Sequence, residues 1–217
     1  MNEKKLTTKQ LCILGLLTAI LLLMAYTPLG YLNVGPLAIT FNVIPVAIAA
    51  ITCGPVGGAI IGGVFGLTSF GQCIGIGGVS AMGAALFAVN PFLAFVQRFI
   101  PRLLDGLLLG FIFRGMYKKT NRVSISASVT GFFSAFLNTV FFMTALVVCF
   151  YSYFVENYSH GGNIILTVCT MVGINAVSEM VSSTIITGVI ATALSKAHLL
   201  NSKEDAPVVG AKANLQA

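Results

Sequence analysis

Charged residues are scarce in this sequence: Asp, Glu, Lys and Arg make up only 8% of its 217 residues, whereas hydrophobic residues make up 57%. An ordinary soluble domain has about 25% charged residues, so the composition indicates an integral membrane protein. At about 20 apolar residues per crossing, the chain has room for at most about seven or eight spans. A separate catalytic or nucleotide-binding domain is therefore excluded.

The groups that most catalytic sites need are also scarce. The two histidines, His160 and His198, fall outside every apolar segment, so no Ser-His or Cys-His pair and no intramembrane metal cluster is expected. The sequence has no GxxxxGK[ST] loop, which excludes ATP hydrolysis by this chain. The five cysteines occur singly and without CxxC spacing, as is typical of small buried hydrophobic residues. We therefore expect no enzyme, no metal and no cofactor.

Six apolar segments predict six membrane-spanning helices. They cover residues 11–26, 37–53, 56–70, 86–113, 123–153 and 164–194. Lysine and arginine precede the first segment and follow the fourth and the sixth, whereas loops 30–36, 71–83 and 154–163 contain neither. The positive-inside rule then places both termini in the cytoplasm and these three loops outside.

The predicted fold is thus an all-α membrane protein, a compact bundle of six transmembrane helices over residues 11–197. Residues 1–10 form a cytoplasmic N-terminal segment and residues 198–217 a polar cytoplasmic tail. The basic residues before the apolar run at 11–25 are also typical of a secretory signal peptide. Cleavage would put the remaining basic regions on opposite sides of the membrane, so a retained first helix is the favoured interpretation.

The glycine-rich centre of the chain predicts two features. Thr52-Cys53-Gly54-Pro55 is typical of a tight turn between the second and third spans. Gly58, Gly62 and Gly66 recur at every fourth residue on one face of the third span. Such small-residue spacing lets helix backbones approach closely, and packing within the chain is the favoured interpretation.

Four charged residues lie inside the predicted spans, where each costs about 2.5 to 3.5 kcal/mol on insertion scales and so needs a partner or a function. Arg98, Arg102 and Asp105 share one face of the fourth span, and Glu179 follows Asn175 by one helical turn in the sixth. Counted from the outer ends of their helices, these residues share a depth with Asn138 of the fifth span. The sequence therefore predicts an outward-opening polar chamber.

Two arrangements of these charges remain open. Arg102 with Asp105, and Arg98 with Glu179, would form a closed salt-bridge network. Alternatively, the carboxylates would only orient the guanidinium groups, which leaves Arg98 or Arg102 to bind a carboxylate ligand.

Further polar or aromatic residues are predicted at the mouth of the chamber, namely Phe41, Asn42, Gln72 and Asn90. A helix cap or a loop hydrogen bond is the alternative role for each of the polar ones.

Three sequence runs resemble a known family. GPLAITFNVIP at residues 35–45, GPVGGA at 54–59 and PRLLDGL at 101–107, together with six spans and a basic N-terminus, look like the substrate-binding S component of energy-coupling factor (ECF) vitamin transporters. The resemblance covers about residues 8–197 and is closest to the pantothenate-specific branch.

The resemblance implies a protein of the prokaryotic cell membrane that captures a vitamin from outside. It also implies docking on a transmembrane coupling subunit that carries two cytoplasmic ATPase subunits. Family members dock through an Ala-xxx-Ala motif in the first helix, and Gly15-xxx-Ala19 stands at that place here. This departs from the literal motif but keeps both residues small.

Pantothenate offers one carboxylate, one amide and two hydroxyls on a branched apolar centre. Arg98 or Arg102 suits the carboxylate, Asn138 and Asn175 the amide and hydroxyls, and Phe41 the dimethyl group. Biotin, folate and riboflavin remain alternative vitamins. A stand-alone secondary carrier, with Asp105 and Glu179 relaying protons, is the alternative from another functional class.

Overall fold

The protein is nearly all helical. The computed structural model describes residues 7–27, 30–34, 37–78, 80–159, 163–197 and 199–200, and the tail predicted at 198–217 lies almost wholly outside them. The helices and strands are α1 Thr8–Tyr26, β1 Tyr31–Val34, β2 Leu37–Thr40, α2 Val43–Gly71, α3 Ala81–Val89, α4 Pro91–Thr120, α5 Val123–Cys149, α6 Tyr151–Phe154 and α7 Ile164–Lys196. Short 3-10 and π turns cover Gln72–Ile74 and Val155–Ser159.

Within the described residues, four helical stretches are long and apolar enough to cross a membrane: Thr8–Tyr26, Val43–Ile74, Val123–Cys149 and Asn175–Lys196. Helix α4 has 30 residues and the length to do so, but it carries buried charges. Helix α1 begins at Thr8, three residues before the predicted start of the first span, because Thr7 and Gln10 form a capping box there. The predicted sixth span, residues 164–194, starts at the same residue as α7 and ends two residues before it.

The predicted start of the second span at Leu37 is wrong. Residues 37–40 form β2, which pairs in an antiparallel hairpin with β1. Helix α2 begins only at Val43, because Pro45 fits the first turn of a helix but blocks its extension toward the N-terminus.

The turn predicted around Gly54 is confirmed. Gly54 adopts φ 73° and ψ −166°, a non-helical conformation that favours glycine. A Cβ on Gly57 would lie 3.1 Å from the Ala49 carbonyl oxygen, although eight residues of straight helix would separate them by about 12 Å. Helix α2 therefore bends back sharply into two arms, residues 43–53 and 55–71.

The fourth predicted span begins too early and ends too early, and the fifth ends too late. Leu86 belongs to α3, a separate helix that overlaps the end of the predicted loop 71–83, because Ser80 caps its start and Asn90 with Pro91 starts a new helix, α4, that runs to Thr120. Helix α5 ends at Cys149, where Phe150 leaves the helical conformation. The protein thus contains short helices, α3 and α6, that the sequence analysis does not predict.

The glycine stripe of α2 packs directly against α4, as predicted. The glycines and the α4 residues that they face are Gly58 with Gly106, Gly62 with Arg102 and Gly66 with Phe99. A Cβ on Gly62 would overlap the backbone carbonyl of Arg102. Contact with these glycines of α2 therefore sets the position of the α4 backbone that carries Arg98 and Arg102.

Replacing Gly62 by Ala should destabilise the protein by about 1 to 3 kcal/mol, because the added methyl group overpacks a backbone contact. Gly63→Ala is the matched control, since a Cβ there would make only ordinary side-chain contacts, with the Phe99 ring at 3.7 Å and with Leu103 Cδ1 at 4.0 Å. Thermal unfolding of the purified variants in detergent measures the difference. Equal melting temperatures for the two variants would show that the α2 and α4 backbones can move apart without cost.

Candidate functional site

Arg98 lies in the outer part of α4 and links two other segments. Its Nη1 donates a hydrogen bond to Ser69 Oγ of α2, and its Nη2 donates one to Ser80 Oγ, each at 3.3 Å. The guanidinium carbon lies 5.1 Å from the centre of the Phe142 ring. Arg98 is buried, so its charge is held among hydroxyl and aromatic groups and away from lipid.

Arg102 lies one turn further along α4, between two phenylalanine rings. Its guanidinium carbon is 4.5 Å from the centre of the Phe65 ring and 5.1 Å from that of Phe142. Its Nη1 donates to the Arg98 carbonyl at 2.9 Å. The charge also interacts electrostatically with Asp105 and Glu179.

Glu179 connects α7 to the hairpin. Its Oε1 accepts a 2.6 Å hydrogen bond from the backbone N–H of Thr40, the last residue of β2. The Glu179 carboxylate therefore accepts a backbone hydrogen bond and also interacts electrostatically with Arg102. Asp105 and Glu179 are both buried, and the Oδ1 of Asp105 has no hydrogen-bond partner among the described residues.

Three buried amide side chains stand out because they have unpartnered atoms. Neither amide atom of Asn42 or Gln97 has a hydrogen-bond partner among the described residues, and both side chains are 0% exposed. The Oδ1 of Asn138, on α5, likewise has no such partner. An unsatisfied buried polar group costs about 1 to 3 kcal/mol, so each amide is a strong candidate for binding an added polar group.

The other predicted site residues have identifiable local contacts. Asn175 is buried on α7, one turn before Glu179, and Phe41 is half-buried against the apolar core beside α2. Gln72 donates to the Ala25 carbonyl at the end of α1, at 3.2 Å. Asn90 accepts from the backbone N–H groups of Phe92 and Leu93 and caps α4. Gln72 and Asn90 therefore have the roles that were weighed as alternatives to ligand binding.

The predicted docking pair lies on the outer surface of α1. Gly15 and Ala19 are exposed, and a Cβ on Gly15 would meet nothing within 4 Å. Leu16 and Leu23 on the same helix are 63% and 67% exposed. Within the described residues, this face of α1 does not pack against another helix of the chain.

Several site residues were missed by reasoning from the sequence, namely Thr40, Phe65, Ser69, Ser80, Gln97 and Phe142. Gln97 had a usable signal, since it is an amide inside an apolar helix next to Arg98. Phe65 and Phe142 had none, because the sequence contains 16 phenylalanines. Among the described residues, no three His, Cys, Asp or Glu side chains are placed to share a metal ion.

Comparison with known proteins identifies the family of the chain. Residues 9–192 match the family described as "ECF transporter, substrate-specific component". The chain is 37% identical over 153 residues to the pantothenate transporter PanT of Leuconostoc mesenteroides subsp. mesenteroides. The aligned region covers 66% of this chain and 70% of the relative. Members of this family are transporter components and not enzymes. The chain therefore belongs to the family of substrate-specific components of ECF transporters, as a multi-pass membrane protein.

Proposed function

We propose that this protein captures pantothenate from outside the cell and delivers it for ATP-driven uptake by partner subunits. The observation that carries the proposal is that two arginines and three amides with unpartnered atoms are buried within the same helix bundle. The similarity to a pantothenate transporter supports this choice of vitamin over biotin, folate or riboflavin.

In this proposal Arg98 binds the pantothenate carboxylate. Arg98 donates hydrogen bonds to the hydroxyls of Ser69 and Ser80, which a ligand group could replace. A carboxylate that replaces these hydroxyls would form stronger, charge-assisted hydrogen bonds with the guanidinium group. Arg102, which interacts electrostatically with Asp105 and Glu179, then has a structural role at the inner end of the site.

The amide and hydroxyl groups of pantothenate are assigned to the amides of the site. Asn138 and Asn175 keep the roles predicted from the sequence, and Asn42 lies at the start of α2. Gln97 is added because its amide is buried next to Arg98 and has no hydrogen-bond partner among the described residues. Phe41 contributes apolar surface, whereas Gln72 and Asn90 support the site through their hydrogen bonds to α1 and to the start of α4.

The membrane arrangement follows the sequence. The two arms of α2 count as separate crossings, which with α1, α4, α5 and α7 make six and place both termini in the cytoplasm. The exposed face of α1 around Gly15 and Ala19 docks on the coupling subunit, and the two ATPases bind that subunit from the cytoplasm. The setting is a prokaryotic plasma membrane.

Replacing Arg98 by Ala should weaken pantothenate binding by about 2 to 5 kcal/mol, because a buried charge pair loses one member. Arg98→Lys should not restore it, since lysine cannot form the bidentate contact. Calorimetry should compare pantothenate with pantothenol, in which an alcohol replaces the carboxylate. Wild-type protein should prefer pantothenate strongly, and Arg98→Ala should lose this preference.

The exposed Arg122→Ala serves as the charge-matched control and should bind normally. If Arg102→Ala abolishes the preference for pantothenate and Arg98→Ala keeps it, the assignment of the two arginines is reversed. If both variants keep it, the arginines do not bind the carboxylate.

Gln97→Leu separates a ligand contact from a structural role. Leucine fills a similar volume without leaving polar atoms unsatisfied, so the empty protein should melt at the same or a higher temperature. Pantothenate affinity should fall by about 1 to 3 kcal/mol, because a hydrogen bond to the ligand is lost. Unchanged affinity with a raised melting temperature would remove Gln97 from the binding site.

The double variant Gly15→Leu, Ala19→Leu should bind pantothenate normally but fail to co-purify with the coupling subunit, because bulky side chains prevent close helix approach. Val177→Leu, on the exposed face of α7, is the control for added bulk on the surface. Uptake into proteoliposomes should require the partner subunits and ATP. Uptake by the chain alone, driven by a proton gradient, would favour a secondary carrier.

A further inference from the structure

A groove lies between α5 and α7, at the opposite end of these helices from Arg98. Its volume is about 570 Å³, and its lining residues are Ser124, Ser128, Ile185, Gly188, Val189, Thr192, Ala193 and Lys196. The α7 residues among them lie between Ile185 and Lys196, a stretch of 12 residues that covers about 16 Å along the helix. The groove shares no residue with the proposed pantothenate site.

The groove changes from apolar to polar along its length. Ile185 and Val189 are 60% and 64% exposed and continue the apolar surface of α7, on which Val181 is 56% exposed. Hydroxyls of Ser124 and Thr192 and the exposed ammonium of Lys196 lie at the other end. This order matches a lipid, with an acyl chain beside the apolar part and a headgroup beside the polar end.

The charges around the polar end favour an anionic headgroup. Exposed Lys118 and Lys119 end α4, and Arg122 precedes α5, so basic residues surround this end of the helices. The three carboxylates in the described part of the chain lie in mid-helix or beyond the opposite end of α5, at Asp105, Glu179 and Glu156. A zwitterionic headgroup would not exploit this field, whereas a phosphatidylglycerol headgroup would.

We propose that this groove binds an anionic phospholipid of the leaflet on the basic side of the membrane, with its phosphate beside Lys196, Ser124 and Thr192. Thr192 already donates its hydroxyl hydrogen to the Gly188 carbonyl, so its oxygen acts as an acceptor toward the lipid's hydroxyl groups. Lys196 and the Ser124 hydroxyl supply donors to the phosphate.

Native mass spectrometry of the full chain in detergent, incubated with phosphatidylglycerol or phosphatidylcholine of the same acyl chains, tests the proposal. Wild-type protein should retain phosphatidylglycerol preferentially. Lys196→Gln should reduce that preference about fivefold, the effect of one basic residue beside an anionic headgroup. Lys118→Gln removes the same charge outside the groove and should change it less, and Lys196→Arg should keep it.

A second pair of variants tests the groove without changing charge. Val189→Trp should fill it and reduce lipid retention severalfold, whereas Val181→Trp adds the same bulk outside the groove and should not. Equal retention of both lipids by wild-type protein, or equal losses for Lys196→Gln and Lys118→Gln, would overturn the proposal. Thermal stabilisation by inorganic phosphate as large as that by phosphatidylglycerol would also overturn it, in favour of a phosphate site.

Discussion

The contact between the second arm of α2 and α4 is the constraint on which the candidate site depends. Three glycines let the α2 backbone lie directly against that of α4, and one of them, Gly62, meets the carbonyl of Arg102. Close approach also brings Phe65 over the Arg102 guanidinium and Ser69 within reach of Arg98. Wider spacing would separate both arginines from partners that compensate their transfer out of water.

The charges of the site are arranged unevenly, and this gives its two arginines different properties. Arg102 lies between aromatic rings and interacts electrostatically with Asp105 and Glu179. Arg98 donates hydrogen bonds to two serine hydroxyls and lies near one ring. The two guanidinium groups, one helical turn apart on α4, therefore differ in their described surroundings.

Much of this arrangement could be predicted from the sequence, because helical periodicity is a local property. The spacing of Arg98, Arg102 and Asp105 predicts their shared buried face, and Gly54 with Pro55 predicts the sharp bend of α2. Hydropathy alone could not distinguish the strand at Leu37 from the start of an apolar helix, because a short apolar run fits both. What makes it a strand is its pairing with residues 31–34, which hydropathy does not report. The contacts of Phe142 and the isolation of the Gln97 amide likewise depend on which faces of α4 and α5 meet.

The position of Ser80 links the outer surface to the interior. Its hydroxyl accepts from the backbone N–H of Gly83, in the first turn of α3, and from the Arg98 guanidinium. One oxygen atom therefore joins the start of a surface helix to a cation buried in the bundle. An anion bound by this guanidinium, as proposed above, would compete with the Ser80 hydroxyl for its N–H groups and would leave that hydroxyl bonded to the start of α3.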